Sequence, residues 1–412
     1  MDELKPTGSN DLVGAQSSPS THRSPNTAQC DPGKLSLPHT TDPPSPSNPP
    51  KRKVWIVFGA TGHMGRSVTK TALCHGDIVC AVGQSLEDTL SSMQKWHDDP
   101  DRYLGLLCDV RIRESVASVI ETTMKQFGRM DIIANCSGYG VIGACEDQDE
   151  HEIRNQFETN FMGTLNIIQL SLPYFRQRRA GRYLIFSSIS GALGVPGLGP
   201  YCATKYAVEG LIESMLYEVD QFSIRATLVE PSHLRRDDEL TMANGHKLPI
   251  FGHFKVAKAS EPYTGKDAPA AHAQRALHWL GDNQPTSVVK AAELVWQLGH
   301  CRYPPLRLLL GSFAVESIRD RLKSIIEEIE DWKHLSFPPL EGHEEKPAEG
   351  EDGDDKDDGD LDDNDNEHAD GGGEGEGDAE GEHDVYAPDQ DDEGASSQFI
   401  KKENQSQMDT DD

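Results

Sequence analysis

The chain has 412 residues and a net charge of −30, but residues 341–412 alone carry 30 Asp and Glu against four Lys and no Arg. Residues 53–340 hold 34 acids and 30 bases, so the low isoelectric point describes the tail, and no basic face for nucleic acid is expected on the rest. No apolar run approaches the roughly 18 residues of a membrane span, and the start lacks a basic stretch followed by an apolar one, so a cytoplasmic, unsecreted protein is expected.

Residues 1–52 are crowded with Pro, Ser and Thr and show no apolar periodicity, which predicts a disordered arm. Lys51-Arg52-Lys53 closes it; this triplet resembles a short nuclear-import signal and reads more plainly as solvated flank. From Val54 the pattern changes. Val54-Trp-Ile-Val-Phe58 predicts a buried strand, Gly59-Ala-Thr-Gly-His-Met-Gly65 a tight turn, and the residues through Cys74 a helix. Strands follow at Ile78–Val82 and Tyr103–Cys108. Val116, Val119, Ile120, Met124 and Phe127 recur at helical spacing, with Gly128 where a C-cap belongs. The alternation continues with strand Met130–Ala134, one helix Asp149–Arg178, strand Arg182–Ser187, helix Pro200–Asp220 and strand Ser223–Val229.

Strands alternating with helices predict parallel βαβ units, and continuous apolar strands predict a sheet covered on both faces. The expected fold is therefore α/β, a Rossmann-type doubly wound parallel sheet in one domain, 53–335, between disordered tails. After Pro231 the pattern lapses, and residues 233–285 read as an irregular substrate-covering segment. It resumes with helix Pro285–Gly299, the apolar Leu306–Leu310 and an amphipathic helix over Val315–Trp332. The tail 341–412 is expected to be solvated and self-repelling, with a basic partner as the alternative. Eight scattered cysteines without a CxxC pair predict reduced thiols and no metal site.

A helix N-terminus reached through glycine presents free N–H groups and a positive dipole end to a pyrophosphate, so Gly59, Gly62 and Gly65 are candidates for a dinucleotide cradle. A tight strand-to-helix turn needs glycine for its own geometry as well. Tyr201 and Lys205 stand four apart on one helix and project from one face, while Ser188 follows a strand end. A phenol ionises near 10, and a neighbouring ammonium favours its ionised form, so Lys205 is expected to make Tyr201 a usable acid/base.

Residues 53 to about 335 resemble the short-chain dehydrogenase/reductase family, with its elements in order. Its glycine loop matches Gly59-Ala-Thr61-Gly62-His63-Met64-Gly65, its adenine-contacting pair Asp109-Val110, and its Asn-Asn-Ala-Gly element Asn135-Cys-Ser-Gly138. Its active-site Asn, Ser, Tyr and Lys fall on Asn160, Ser188, Tyr201 and Lys205. The resemblance implies a small lipophilic alcohol or ketone exchanged by hydride transfer. In it Tyr201 passes the proton, Ser188 binds the substrate oxygen, Lys205 binds the nicotinamide ribose, Asn160 holds a relay water, and the chain forms dimers or tetramers. Val229-Glu-Pro231 and Pro304-Pro-Leu-Arg-Leu-Leu-Leu-Gly311 resemble the retinol- and hydroxysteroid-type branch, and Pro231 is carried over as a cofactor contact.

Three features depart from the family. His63 replaces the second glycine; Ser232 and Arg236 replace a Gly and a Thr that seat the nicotinamide; and Val82-Gly83-Gln84 ends the second strand without an acid. That last feature favours NADP over NAD, since nothing there repels a 2′-phosphate. The first two open a second reading, a dinucleotide-binding sensor without turnover.

Overall fold

In the computed structural model, residues 35–84, 87–235, 253–283 and 287–336 are described. The chain divides into two units, Met1–Leu340 and Glu341–Asp412; the expectation of a solvated acidic tail lies outside the described residues, as does that for residues 1–34.

β1 (Val54–Phe58) is buried at all five positions, and its side chains part by the two-residue period of a strand. Trp55 and Val57 enter one core layer and Ile56 and Phe58 the other, so the sheet is covered on both faces. The chain then runs through α1 (His63–Cys74), β2 (Ile78–Gly83), the short α2 (Leu90–Met93), β3 (Tyr103–Leu107) and α3 (Arg113–Phe127). α3 buries Val116, Val119, Ile120 and Thr123. It ends at Gly128, whose φ of 71° lets its N–H reach Met124 O at 2.8 Å, as the sequence predicts.

β4 (Ile132–Asn135) and β5 (Gly140–Ile142) come next. The single helix expected over 149–178 is three pieces: α4 (Glu150–Phe157), a π turn (Glu158–Met162) and α5 (Gly163–Arg178). Apolar periodicity carries no signal for one extra residue wound into a continuous helix. β6 (Gly181–Phe186), α6 (Gly199–Val219) and β7 (Ile224–Pro231) complete the repeating part.

Beyond it the irregular reading of 233–285 needs correction. β8 (Phe254–Val256) pairs parallel with β5, and α7 (Pro269–Asn283) buries Ala270 and Ala273 in a small apolar cluster with Tyr201 and Phe254. Residues 236–252 lie outside the described set. α8 (Val288–His300), β9 (Arg307–Leu310) and α9 (Ser312–Ser336) follow.

The main sheet has the order β3-β2-β1-β4-β6-β7-β9, all parallel. The order reverses between β1 and β4, so a crevice opens at the carboxyl ends of those strands, where open α/β sheets bind ligands.

Two features tie the sheet to α8. Asp77, 1% exposed, accepts from Trp55 Nε1 and Trp296 Nε1 at 2.9 Å and from the Lys53 N–H at 2.8 Å, and pairs with His300 Nε2 at 2.7 Å. Residues 35–52, read from sequence as part of a disordered arm, are also fixed there. Leu37 is buried in the core and its N–H donates to Gln297 Oε1, while Arg302 and Tyr303 N–H groups donate to Thr41 O. One buried leucine and backbone pairing escape a compositional reading, which sees only the prolines.

Candidate active site

The turn after β1 forms one wall of the crevice. Gly59 has φ +72°, and a Cβ there would stand 2.6 Å from Ser137 N; a Cβ on Gly65 would stand 2.2 Å from Gly59 O. Both glycines are demanded by the protein's own backbone. Gly62 differs: its N–H closes the turn onto Gly59 O at 3.1 Å, and a Cβ on it would meet only that oxygen, at 3.4 Å. It is the N-cap of α1 and supplies no side-chain cap to the helix's first turn, which suits an anion. His63 and Met64 open the helix, and Met64 packs into the core layer.

Thr61 shows what the sequence missed. Its hydroxyl donates to Glu87 Oε2 and accepts from the Gln84 N–H at 3.3 Å. The strand end at Val82-Gly83-Gln84 has no acid, as the sequence shows, but a carboxylate reaches Thr61 from three residues past Gln84, outside the position where a motif looks for it. Farther along the crevice the Asp109 carboxylate is held by Arg111, with Nη2 at 2.7 Å, and this guanidinium keeps the acid below its usual range. Val110 is buried and its carbonyl accepts from Asn166 Nδ2.

At the end of β4, Asn135 donates to Thr164 Oγ1 at 2.9 Å and accepts from the Ser137 N–H at 3.1 Å. Gly138 lies over the centre of the site: a Cβ there would stand 2.9 Å from Asn160 Oδ1 and 3.6 Å from Lys205 Nζ. Asn160, in the π turn and 1% exposed, accepts the Tyr139 N–H at 3.0 Å and donates to Tyr139 O at 2.8 Å and Thr204 Oγ1 at 2.9 Å. Both ends of its amide are thus engaged by protein, clamping the backbone beside Gly138 to α6.

Ser188 caps a short 3₁₀ turn after β6, its Oγ accepting from the Ser190 N–H at 3.2 Å. Across from it Tyr201 is buried, with Oη 3.3 Å from His253 Nε2 and the Phe254 ring edge-on at 5.0 Å. Burial pushes the phenol above its ordinary value, and the Ser188 hydroxyl draws it part of the way back. The ammonium of Lys205 lies 5.6 Å from the ring centroid and donates to Phe186 O at 3.0 Å. Burial lowers Lys205 to about 8, against the pull of the Glu209 carboxylate. Burial is thus the largest influence on the Tyr201 phenol, and Lys205 stands beside its ring.

Glu209, one turn beyond Lys205, belongs to a cluster behind the site. It accepts from Ser187 Oγ at 2.6 Å and from Arg307 Nη1 at 2.5 Å; the same guanidinium binds Glu230 Oε1 at 2.6 Å and Glu213. Val229-Glu-Pro231 and Pro304–Gly311, the two segments that resemble the retinol- and hydroxysteroid-type branch, therefore meet here. Pro231 ends β7, and the Ser232 N–H donates to Leu310 O at 3.1 Å. Arg236 lies outside the described residues. The structure thus gathers Asn160, Ser188, Tyr201, Lys205 and Gly138 into one place and keeps the glycine turn on the neighbouring strand end.

The description "short chain dehydrogenase" fits residues 53–242. The chain is 30% identical over 285 residues to Oxidoreductase BOA17 of Botryotinia fuckeliana, covering 69% of this chain and 98% of that protein. It is 33% identical over 156 residues to Retinol dehydrogenase 8 of Bos taurus, covering 38% of this chain and 45% of that one. A solved short-chain dehydrogenase from Streptomyces avermitilis superposes with a TM-score of 0.59 at 29% identity, over 69% of this chain and 98% of its own. The chain belongs to the short-chain dehydrogenase family. Among the described residues no helix is long and apolar enough to cross a membrane, and no cluster of His, Cys, Asp and Glu could hold a metal ion.

Proposed function

We propose that the protein interconverts a lipophilic secondary alcohol and its ketone, or an aldehyde, using a nicotinamide dinucleotide. One observation carries this reading: a buried phenol, a serine hydroxyl in reach of it and a lysine one helical turn away sit beside a glycine turn whose helix end is open to an anion. The dinucleotide, when bound, supplies or accepts hydride at C4 of its nicotinamide.

The chain's own residues do the rest. Gly62 and the first turn of α1 hold the pyrophosphate, Asp109-Val110 and Asn135 border the adenosine side, and Lys205 and Pro231 border the nicotinamide side. Tyr201 gives its proton to the oxygen of the carbonyl being reduced, or takes it from the alcohol being oxidised, and Ser188 holds the same oxygen. A bound ribose exchanging hydrogen bonds with Lys205 would bring its charge to bear on the phenol, offsetting the burial that raises Tyr201 alone. The apolar cluster of Ile142, Leu198, Phe254 and Ala273 around Tyr201 supports a lipophilic substrate. The acid-free strand end favours NADP, whereas Glu87 on Thr61 supports NAD, because a 2′-phosphate near that edge would meet a carboxylate.

The test is Tyr201→Phe, assayed for reduced-cofactor consumption against a panel of ketones and aldehydes and for cofactor binding by protein fluorescence. Turnover should fall by roughly a thousandfold or more while binding stays within about twofold; equal turnover in the variant refutes the role. A second reading, a dinucleotide sensor without turnover, draws on His63 and Ser232, which stand where the family carries glycines. Cofactor binding with no substrate consumed by the wild type would favour it.

A further inference from the structure

Tyr201 is 2% exposed, yet an acid/base in that position hands away a proton in every turnover. Burial makes a phenolate left there costly, so the proton has to be replaced from water through some group that reaches it. Lys205 and Asn160, on the inner side, are themselves buried. Lys205 donates to Phe186 O at 3.0 Å, and Asn160 spends its amide on Tyr139 and Thr204 and its carbonyl on the Thr164 hydroxyl at 2.6 Å.

On the outer side stands an imidazole. His253 is exposed, and its Nε2 lies 3.3 Å from Tyr201 Oη. The two-stranded sheet of β5 and β8 fixes its place: the Gly140 N–H donates to His253 O at 3.2 Å, and β8 begins at the next residue. A Cβ on Gly140 would stand 2.7 Å from ring carbons of both Tyr201 and Phe254, so a bare backbone at that point is what lets the rings meet. Phe254 closes the group, its ring 4.3 Å from that of His253 and 5.0 Å from that of Tyr201. The charged side chains around this group are engaged with one another. Lys255, two residues along β8, pairs with Glu152 of α4 at 3.2 Å and lies over the Tyr139 ring, and Glu152 also accepts from Tyr139 Oη at 3.1 Å. On α6, Lys205 feels the Glu209 carboxylate.

We propose that His253 relays protons between solvent and Tyr201. The inference rests on the acid/base reading of Tyr201 given above. During reduction Tyr201 Oη gives its proton to the substrate oxygen. The Nε2–H of His253 then gives its proton to the phenolate oxygen while Nδ1 takes one from water, leaving the other tautomer, which exchange with solvent resets. One proton enters from water for each one delivered to the alcohol, and no electron passes through the imidazole. Oxidation runs the same transfers in reverse.

The test uses the full chain with NADH or NADPH and two probes, decanal and methyl nonyl ketone. His253→Ala should lower kcat by roughly ten- to hundredfold while cofactor binding stays within about twofold, and added imidazole should restore most of the loss. A free base can carry protons but cannot rebuild packing, so restoration separates a relay from a structural part. Full activity in His253→Ala beside an inactive Tyr201→Phe overturns the relay and leaves the acid/base reading standing, as does a loss that imidazole leaves untouched. An active Tyr201→Phe overturns both. A second measurement needs no turnover: in cofactor-free protein with isotope-labelled histidine, the His253 ring-nitrogen resonance, identified by its loss in His253→Ala, should shift in Tyr201→Phe. An unmoved resonance overturns the relay even where neither probe is consumed.

Discussion

Replacing Glu230 by Gln probes the cluster in which three carboxylates share the Arg307 guanidinium. Glu230 is fully buried, and its Oε2 has no hydrogen-bond partner among the described residues. Burial, and then the Glu209 charge, push it from an ordinary 4.5 to about 7, against the pull of Arg307. A carboxyl raised in the folded state contributes stability that is complete below 4.5 and is lost as pH rises through 7. A rise of about 2.5 units at ~1.4 kcal/mol per unit makes that loss about 3 kcal/mol. Gln imitates the protonated acid and cannot ionise, so urea unfolding at steps from pH 5 to 8 should show the variant gaining about 3 kcal/mol on the wild type across the interval. Parallel stability curves would mean that Glu230 is ionised throughout and that a single guanidinium suffices for all three acids.

Gly59→Ala would force an L-residue to φ +72° with its Cβ 2.6 Å from Ser137 N, and should cost about 3 kcal/mol by thermal melting and abolish cofactor-induced quenching. Asp77→Ala strips Trp55, Trp296 and His300 of their shared acceptor and should destabilise by about 3–5 kcal/mol in denaturant titration; a loss under about 1 kcal/mol would show that water replaces the carboxylate. Glu87→Gln should raise affinity for NADP relative to NAD by roughly tenfold in fluorescence titrations, and an unchanged ratio would remove Glu87 from cofactor choice.

Much of this architecture could be read from residue order. Continuous apolar strands, the glycine turn and the Gly128 cap each rest on a local rule with one physical cause, so β1 to β4, β6 and β7 fall near their expected places, while the three-residue β5 carries no such signal. The relation of Tyr201 to Lys205 was legible because four residues on a helix fix a shared face. What escaped reading depends on contacts distant in sequence. Glu209 and Arg307 stand 98 residues apart, and Tyr201 and His253 52 apart, with no spacing rule linking them. Residues 35–52 were misread because composition averages over the one leucine that anchors them. The adjacency of Tyr201 to an ammonium can be seen in a sequence, and the burial of both groups cannot.

The π turn has a consequence for how this family member could drift. One surplus residue between Glu158 and Met162 advances the winding by about 100° before α5 resumes, so α4 and α5 present different azimuths along a single rod. Removing that residue would leave α5 seated on α3 yet swing Asn160 off the Tyr139 backbone, and no side-chain replacement could swing it back. The clamp of Asn160 on the Tyr139 backbone is therefore vulnerable to a one-codon deletion at a spot where most point substitutions on the outer surface would pass unnoticed.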